Sequence, residues 1–292
     1  MSDMSDPSQE INHQEAASPF GEEMGTAEAA IAPQKHPNST DAEPWQPLRE
    51  DRLWTLTDVG GFFLFALVTM VVSLGIVMGS FTLLNSGLNW GLTLSHPQVQ
   101  TPIAVLVQSV WELFWILFIY QIVVVKYGLK FWESLQWKPA GVPMFRYLLA
   151  GSILSLALQL LFQFIPGRPD LPIEKLFDTP ASAYLMAFFG IGVAPFVEEL
   201  VFRGFFLPVF ERRWGAAAAV IMTGTLFAAI HAAQLGGVGP ELLALLLVGL
   251  ILSFVRVQTG SLIPSFLVHL GYNSTLFLLL FVATNRFQTL KG

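Results

Sequence analysis

The sequence contains the stretch AYLMAFFGIGVAPFVEELVFRGFFLPV at residues 183–209. Only three of these residues are charged, and apolar residues continue on both sides of the three. Roughly 20 predominantly apolar residues are enough for an α-helix to cross the hydrocarbon core of a bilayer. The stretch therefore predicts a transmembrane helix that carries a compact group of charges inside it.

The composition of the whole chain points to the same class of protein. Of its 292 residues, 53% are hydrophobic and only 12% are charged. A soluble domain has about 25% charged residues, and half of that supply is too little to cover a surface that faces water. The chain has no cysteine, which excludes disulfides, cysteine-ligated metals and thiol catalysis. We therefore expect a polytopic membrane protein.

Seven apolar blocks of spanning length follow one another along the chain. We place them at 59–84, 103–126, 146–166, 183–209, 215–233, 241–258 and 262–283. Since backbone polar groups within lipid must be satisfied inside the segment, each block is interpreted as a helix. The predicted fold is an all-α transmembrane helix bundle of about seven to eight spans. The break between the fourth and fifth spans depends on four residues, Pro208, Arg212, Arg213 and Gly215.

The N-terminal segment differs in composition from the rest of the chain. Residues 1–50 contain ten acidic residues against Lys35 and Arg49, and they have no sustained apolar run. Such a segment cannot bury enough apolar surface to fold, so we predict a disordered N-terminal tail. The remainder divides into N-terminal transmembrane helices at 51–178 and a C-terminal core at 179–292. Lys and Arg concentrate at alternate span ends in a pattern that predicts a cytoplasmic N-terminus.

The three charges of the fourth span are costly in lipid and differ in their partners. Each costs roughly 2.5–3.5 kcal/mol at the centre of a membrane helix, so an intramembrane charge is a functional hypothesis by default. Glu199 and Arg203 are four residues apart, which predicts a mainly structural ion pair. Glu198 has Phe202 at the corresponding position, so its carboxylate is free to act. The alternative is that all three charges lie at the interface, outside the hydrocarbon.

Polar residues in two other spans complete the candidate site. His231 lies in the fifth span, and His269 and Asn273 are four residues apart on one face of the seventh. A lone histidine in an apolar helix is usually structural, but two of them in a bundle that also contains Glu198 indicate a site. A straight-helix count places His231 at the outer end of its span, away from His269. Glu112 in the second span is interpreted as a packing or polar-network residue.

These groups are sufficient for peptide hydrolysis without a covalent intermediate. Glu198 can take a proton from water, with His231 positioning that water and sharing the proton. His269 and Asn273 can donate hydrogen bonds to the oxyanion that develops on the substrate carbonyl. Glu198, His231 and His269 are also an acceptable set of zinc ligands. Residue types alone leave the metal-dependent and metal-free mechanisms open.

The three motifs Glu198-Glu199-xxx-Arg203, Phe227-xxx-His231 and His269-xxx-Asn273 resemble those of the CPBP family. This family includes the type II CAAX prenyl endopeptidases and the bacterial Abi proteins, and the resemblance covers about 180–283. It implies an intramembrane helix bundle that cleaves peptide bonds near the cytoplasmic face, and here an integral protein of a bacterial plasma membrane.

The resemblance also implies roles for the motif residues. Glu198 and His231 would activate the water, and His269 and Asn273 would form the oxyanion site. Glu199, Arg203 and Phe227 would support them. The family is described as glutamic, which favours a mechanism without a bound metal or other cofactor over a zinc enzyme. The expected partners are membrane lipid and a peptide or protein substrate, membrane-associated or lipidated, and no nucleic acid.

Other classes are weighed against this hypothesis. The sequence has no His-Glu-x-x-His, no Gly-x-Ser-x-Gly and no Asp in its last four spans, which excludes zincin, serine-elbow and aspartyl sites. The alternative is a non-enzymatic immunity or scaffold protein, or a transporter, in which the intramembrane charges serve as a relay. Against a transporter, no repeat relates the two halves of the chain.

Overall fold

The computed structural model of the protein describes residues 53–141, 143–164, 171–237 and 239–289. Regular structure in these ranges is helical throughout, with no β-strand. The α-helices are α1 (Leu56–Gly87), α2 (Pro97–Tyr120), α3 (Phe131–Ser134), α4 (Met144–Phe162), α5 (Pro180–Phe188), α6 (Ala194–Glu198), α7 (Leu207–His231), α8 (Pro240–Thr259) and α9 (Leu262–Ala283). Three π-helical segments, Gln121–Lys126, Phe189–Val193 and Glu199–Phe206, continue or join them, and a 3₁₀ segment, Pro172–Phe177, precedes α5. The tail predicted at 1–50 lies outside the described residues.

Among the residues that the structure describes, six stretches of continuous helix are long and apolar enough to cross a membrane. They are Leu56–Gly87, Gln98–Lys126, Met144–Phe162, Pro180–His231, Pro240–Thr259 and Leu262–Ala283. Large apolar side chains such as Leu64, Leu67 and Val71 of α1 are exposed on the outside of the bundle, where lipid rather than water satisfies them. The predicted all-α transmembrane bundle is confirmed, and the chain is an integral membrane protein.

The fourth and fifth predicted spans form one stretch of 52 residues with a sharp break. The break is at Gly215, whose φ of 83° and ψ of 167° lie in a region that is essentially restricted to glycine. We call each continuous helical part on one side of such a break an arm. The arm before Gly215 continues past the predicted end at 209, because Pro208 lies in the first turn of α7, where proline is tolerated. The described ranges therefore contain seven apolar arms, namely the five unbroken stretches and the two parts of the broken one, and the fourth arm is longer than predicted.

Glycines let two pairs of helices approach closely. Gly151 of α4 faces the Val268 carbonyl of α9, and Gly271 of α9 faces the Leu148 carbonyl of α4, with no room for a Cβ at either position. A Cβ on Gly249 of α8 would lie 2.8 Å from the Gly224 carbonyl oxygen of α7. Small residues at helix contacts are typical of membrane bundles, where packing drives association. The second contact brings the α8 backbone close to the charged segment that follows Glu198.

The start of α1 is joined to that charged segment. The Trp54 indole stacks on the Phe205 ring at 5.4 Å between centroids, and its Nε1–H donates to the Phe205 carbonyl at 2.6 Å. Arg212 donates in turn to the Trp54 carbonyl at 2.6 Å. Asp58 of α1 accepts from Lys126 at 2.5 Å, so α1 is also joined to the end of the second span. These contacts anchor one end of the bundle around the π-helical segment Glu199–Phe206.

Candidate active site

The break at Gly215 brings Glu198 and His231 to the same depth. Glu198 precedes Gly215 by 17 residues and His231 follows it by 16, so at 1.5 Å per residue each lies about 25 Å along its arm. His231 Nε2 lies 3.5 Å from Glu198 Oε1. Two groups that are 33 positions apart in sequence thus meet because the arms on either side of one glycine fold back on each other.

The seventh arm runs past the same point. Leu262 at the start of α9 packs against Gly204, where an added Cβ would lie 3.4 Å from the leucine side chain. Glu198 lies six residues before Gly204, and His269 lies seven residues after Leu262, so the two side chains come to a similar depth. His269 Nε2 lies 3.6 Å from Glu198 Oε2. The straight-helix count, which placed His231 away from His269 against the shared site expected for them, therefore does not hold. It assumed a fourth span ending at 209, and the longer arm moves Glu198 and His231 inward together.

The Glu198 carboxylate is consequently flanked by two imidazoles, one on each oxygen. Its side chain is 13% exposed, that of His231 is 16% exposed and that of His269 is 4% exposed. The group is mostly buried, but it is not sealed from its surroundings. This combination, an acid between two bases at the edge of a low-dielectric interior, is typical of sites that move protons.

The ring of His231 has a defined tautomer. Its Nδ1 lies 2.7 Å from the Phe227 carbonyl oxygen one turn earlier in α7. A carbonyl oxygen can only accept, so Nδ1 carries the hydrogen and donates it. In the neutral ring, Nε2 is then an acceptor that faces the Glu198 carboxylate, also an acceptor. Because both atoms are acceptors, their 3.5 Å contact needs a hydrogen on one of them or a water beside them that donates to both.

The ring of His269 is held by the second glutamate. Its Nδ1 lies 3.1 Å from Glu199 Oε1, and the same oxygen accepts from Arg203 Nη1 at 3.0 Å. Glu199 and Arg203 are both completely buried and form the ion pair expected from their spacing. The arginine holds the Glu199 charge in place, and Glu199 in turn accepts the Nδ1–H of His269. His269 Nε2 is thereby aimed at Glu198.

Arg203 has further partners on α8 that keep it satisfied in the interior. Its Nη2 donates to the Gly249 carbonyl at 2.9 Å, and its Nε donates to Ser253 Oγ at 3.3 Å. A buried charge is tolerated only when its hydrogen-bonding groups are paired. The close approach of α8 at Gly249 is what places that carbonyl within reach.

Phe227 lies between the two histidines. Its ring centroid is 4.8 Å from that of His231 and 5.7 Å from that of His269, the second contact being nearly perpendicular. The Arg203 guanidinium carbon lies 4.6 Å from the same centroid, within cation–π range. The ring is almost fully buried, so it fixes the separation of the two imidazoles and covers one side of the charged cluster.

Asn273 follows His269 by one turn but contacts a different segment. Its Nδ2 donates to the Gly190 carbonyl at 2.6 Å, in the π-helical segment Phe189–Val193. The structure thus brings Glu198, His231 and His269 into direct contact, with Glu199, Arg203 and Phe227 around them. It connects Asn273 to this group through α9 and through the Gly190 segment. One amide hydrogen of Asn273 is not used by that bond.

The sequence did not reveal three of the residues that build the site. Ser253, Gly249 and Gly190 supply partners for Arg203 and Asn273, and they depend on tertiary contacts between helices. The only available signal was the glycine content of the apolar arms, which marks close helix contacts without saying which helices meet.

A metal ion would need several ligand side chains that converge on one point. Within the described ranges, no group of three or more His, Asp or Glu side chains is arranged so that it could hold a metal ion. In that part of the chain His231 Nε2 lies against Glu198 Oε1, and His269 Nε2 lies against Glu198 Oε2.

Comparison with known proteins gives one match. Residues 180–275, about a third of the chain, match the protein-family model for type II CAAX prenyl endopeptidase Rce1-like proteins. The matched region contains all three motifs of the candidate site, so the resemblance predicted from them is confirmed over this part of the chain. At the level of the family, the match supports a protease that acts on a peptide or protein. Neither the curated proteins nor the solved structures gave a significant match.

Proposed function

We propose that this protein is an intramembrane endopeptidase of the glutamic type. The observation that carries the proposal is the placement of two imidazole nitrogens, 3.5 and 3.6 Å away, against the two oxygens of one mostly buried carboxylate. The family match supports peptide hydrolysis as the reaction class. The substrate is a peptide or protein segment that reaches the bilayer.

Glu198 and His231 activate the water in the first step. A water hydrogen-bonded to both Glu198 Oε1 and His231 Nε2 gives its proton to this pair and adds its oxygen to the carbonyl carbon of the scissile bond. The Nδ1–H donation to the Phe227 carbonyl leaves Nε2 as the acceptor that this step needs. The product of the step is a tetrahedral intermediate with negative charge on the former carbonyl oxygen.

His269 and Asn273 stabilise that oxygen. His269 donates Nδ1–H to Glu199, so it donates from Nε2 to the oxyanion when both ring nitrogens carry a hydrogen. Asn273 contributes the amide hydrogen that Gly190 does not accept. The C–N bond then breaks, and the proton held by Glu198 and His231 passes to the leaving amine. No covalent enzyme intermediate and no metal takes part.

The decisive test compares the wild type with Glu198→Gln in purified, detergent-solubilised protein. The probe is a quenched fluorescent peptide with a farnesylated cysteine four residues from its C-terminus, assayed beside the same peptide without the lipid. Glu198→Gln is nearly isosteric but cannot accept the proton, so we expect cleavage to fall by about 10²–10⁴-fold. Cleavage at the wild-type rate would remove Glu198 from the mechanism.

The matched control is Glu133→Gln, the same substitution at an exposed glutamate that pairs only with Lys130. It should cleave like the wild type.

Each preparation is also assayed with a chelator, and stoichiometric zinc together with chelator-sensitive activity would contradict the glutamic mechanism. Equal cleavage of both peptides would show that the lipid is not required. A cellular function that survives Glu198→Gln would instead indicate the non-enzymatic scaffold or transporter.

A further inference from the structure

Glu112 of α2 is a buried acid that the proposed reaction does not use. Its side chain is 2% exposed, in the middle of the second span. Its Oε1 accepts from Gln108 Nε2 at 2.9 Å, one turn earlier in the same helix. Its Oε2 finds no hydrogen-bond partner among the described residues, nor does Trp115 Nε1 one turn later on the same helix. Leaving a buried polar atom without a hydrogen-bond partner destabilises the folded state, so such atoms are rare unless they serve a function.

The neighbour of this acid is Glu198. Helix α2 packs against α6 and against the π-helical segment Glu199–Phe206, and Glu112 and Glu198 repel each other electrostatically. The other charges on elements that contact α2 are occupied or exposed. Asp58 pairs with Lys126, and Glu199 pairs with Arg203. Two more, Glu174 and Lys175, lie exposed on the 3₁₀ segment.

These surroundings assign different charge states to the two carboxyls. Glu198 has two imidazoles within 3.6 Å, so a negative charge on it is stabilised. Glu112 has the neutral Gln108 amide as its one hydrogen-bond partner, and a buried acid without a cation stays neutral. Because Gln108 donates to Oε1, the carboxyl hydrogen is on Oε2, the atom without a partner. Glu112 is therefore a hydrogen-bond donor beside an ionised acid.

We propose that Glu112 is a positioning residue for the Glu198 site. Its neutral carboxyl donates a hydrogen bond from Oε2 to a water that bridges to Glu198, and so holds that carboxylate between His231 and His269. Glu112 gives up no proton in the reaction. The inference rests on the proposed function, since it assigns a third element, α2, to the same site.

The pH dependence follows from this role. When Glu112 loses its proton, it ceases to donate and places a second negative charge beside Glu198. Cleavage should then decrease on the alkaline side as Glu112 ionises. A residue that only fills space would leave the pH profile unchanged.

The test uses two substitutions in the full-length protein, with the farnesylated fluorescent peptide as the probe. Glu112→Gln keeps a neutral donor that cannot ionise, so kcat at the optimum should stay within about threefold and the alkaline decrease should move to higher pH. Glu112→Leu keeps the volume but has no donor, so kcat should fall by about tenfold or more with little change in KM. The control is Ser109→Ala on the same helix, whose hydroxyl bonds only to the Val105 carbonyl.

An unchanged pH profile in Glu112→Gln, or a wild-type kcat in folded Glu112→Leu, would overturn the inference. Thermal unfolding in detergent establishes that each variant is folded. If Glu112→Leu does not fold, the pH profile of Glu112→Gln alone decides the question. Failure of the inference is distinguishable from failure of the proposed function. In the first case Glu198→Gln abolishes cleavage while the Glu112 variants behave like the wild type, and in the second Glu198→Gln itself cleaves.

Discussion

Adjacent glutamates in this protein have different surroundings, and the difference comes from their partners. Glu199 is completely buried and accepts from both Arg203 and His269 on one oxygen. Glu198 is flanked by the two histidines and retains some exposure. A carboxylate that is fixed by an arginine is poorly suited to take up a proton, whereas one held between imidazoles is well suited. The first glutamate of the pair is therefore the one that we expect to react.

Removing Arg203 should show that its role is structural. Arg203→Met would leave the Glu199 charge buried without its cation, and breaking a buried pair typically costs about 3–5 kcal/mol. We expect a lower thermal unfolding midpoint in detergent, measured by intrinsic tryptophan fluorescence. The double variant Glu199→Gln/Arg203→Met removes both charges and should regain much of the lost stability. If the single variant is as stable as the wild type, the pair does not support the site.

The residue spacing predicted part of this arrangement but not all of it. The four-residue interval gave the Glu199–Arg203 pair directly, because local helix geometry is readable from a sequence. The contacts of Arg203 with Gly249 and of Asn273 with Gly190 join helices that are distant in sequence. They depend on which helices meet and at what height, and one sequence does not carry that information.

Among the secondary-structure elements, the two arms on either side of Gly215 determine the depth of the site in the bundle. The sequence placed a helix boundary at this glycine, and the structure has its break there. The end of the fourth span was predicted too early, since Pro208 and the two arginines after it were interpreted as a terminus. In the structure these residues extend the helix, with Arg212 bonded to the Trp54 carbonyl. That extension is why Glu198, His231 and His269 lie at one depth.

Substituting Gly215 tests this geometry. A side chain in its backbone region costs about 1–3 kcal/mol, so Gly215→Ala should lower the unfolding midpoint. It should also lower cleavage, because relaxation of the break changes the register of Glu198 against His231. The matched control is Gly75→Ala in α1, where an added Cβ meets nothing within 4 Å and the backbone is helical. Wild-type stability and cleavage in Gly215→Ala would mean that the break does not determine the site.

The whole molecule is a lipid-facing bundle that closes around a charged interior. Composition and apolar block length predicted the class and the approximate number of spans, because the bilayer imposes a fixed length and requires helices. The arrangement of the charged interior was predicted less completely from the sequence. The motifs identified the polar residues of the site, but the packing of α2, which carries Glu112, against α6 emerged only from the structure. A lone acid in an apolar helix gives no indication of its neighbour.

The central claim is that Glu198 and His231 act as one unit on a single water, and a double-mutant cycle measures this most directly. Single-turnover cleavage of the farnesylated peptide is compared for the wild type, Glu198→Gln, His231→Gln and the double variant, each at equal folded protein. Groups that act as a unit give strongly non-additive losses. We predict that the double variant cleaves within about threefold of the slower single variant. A double variant whose loss equals the product of the two single losses, or a single variant with wild-type cleavage, would contradict the claim.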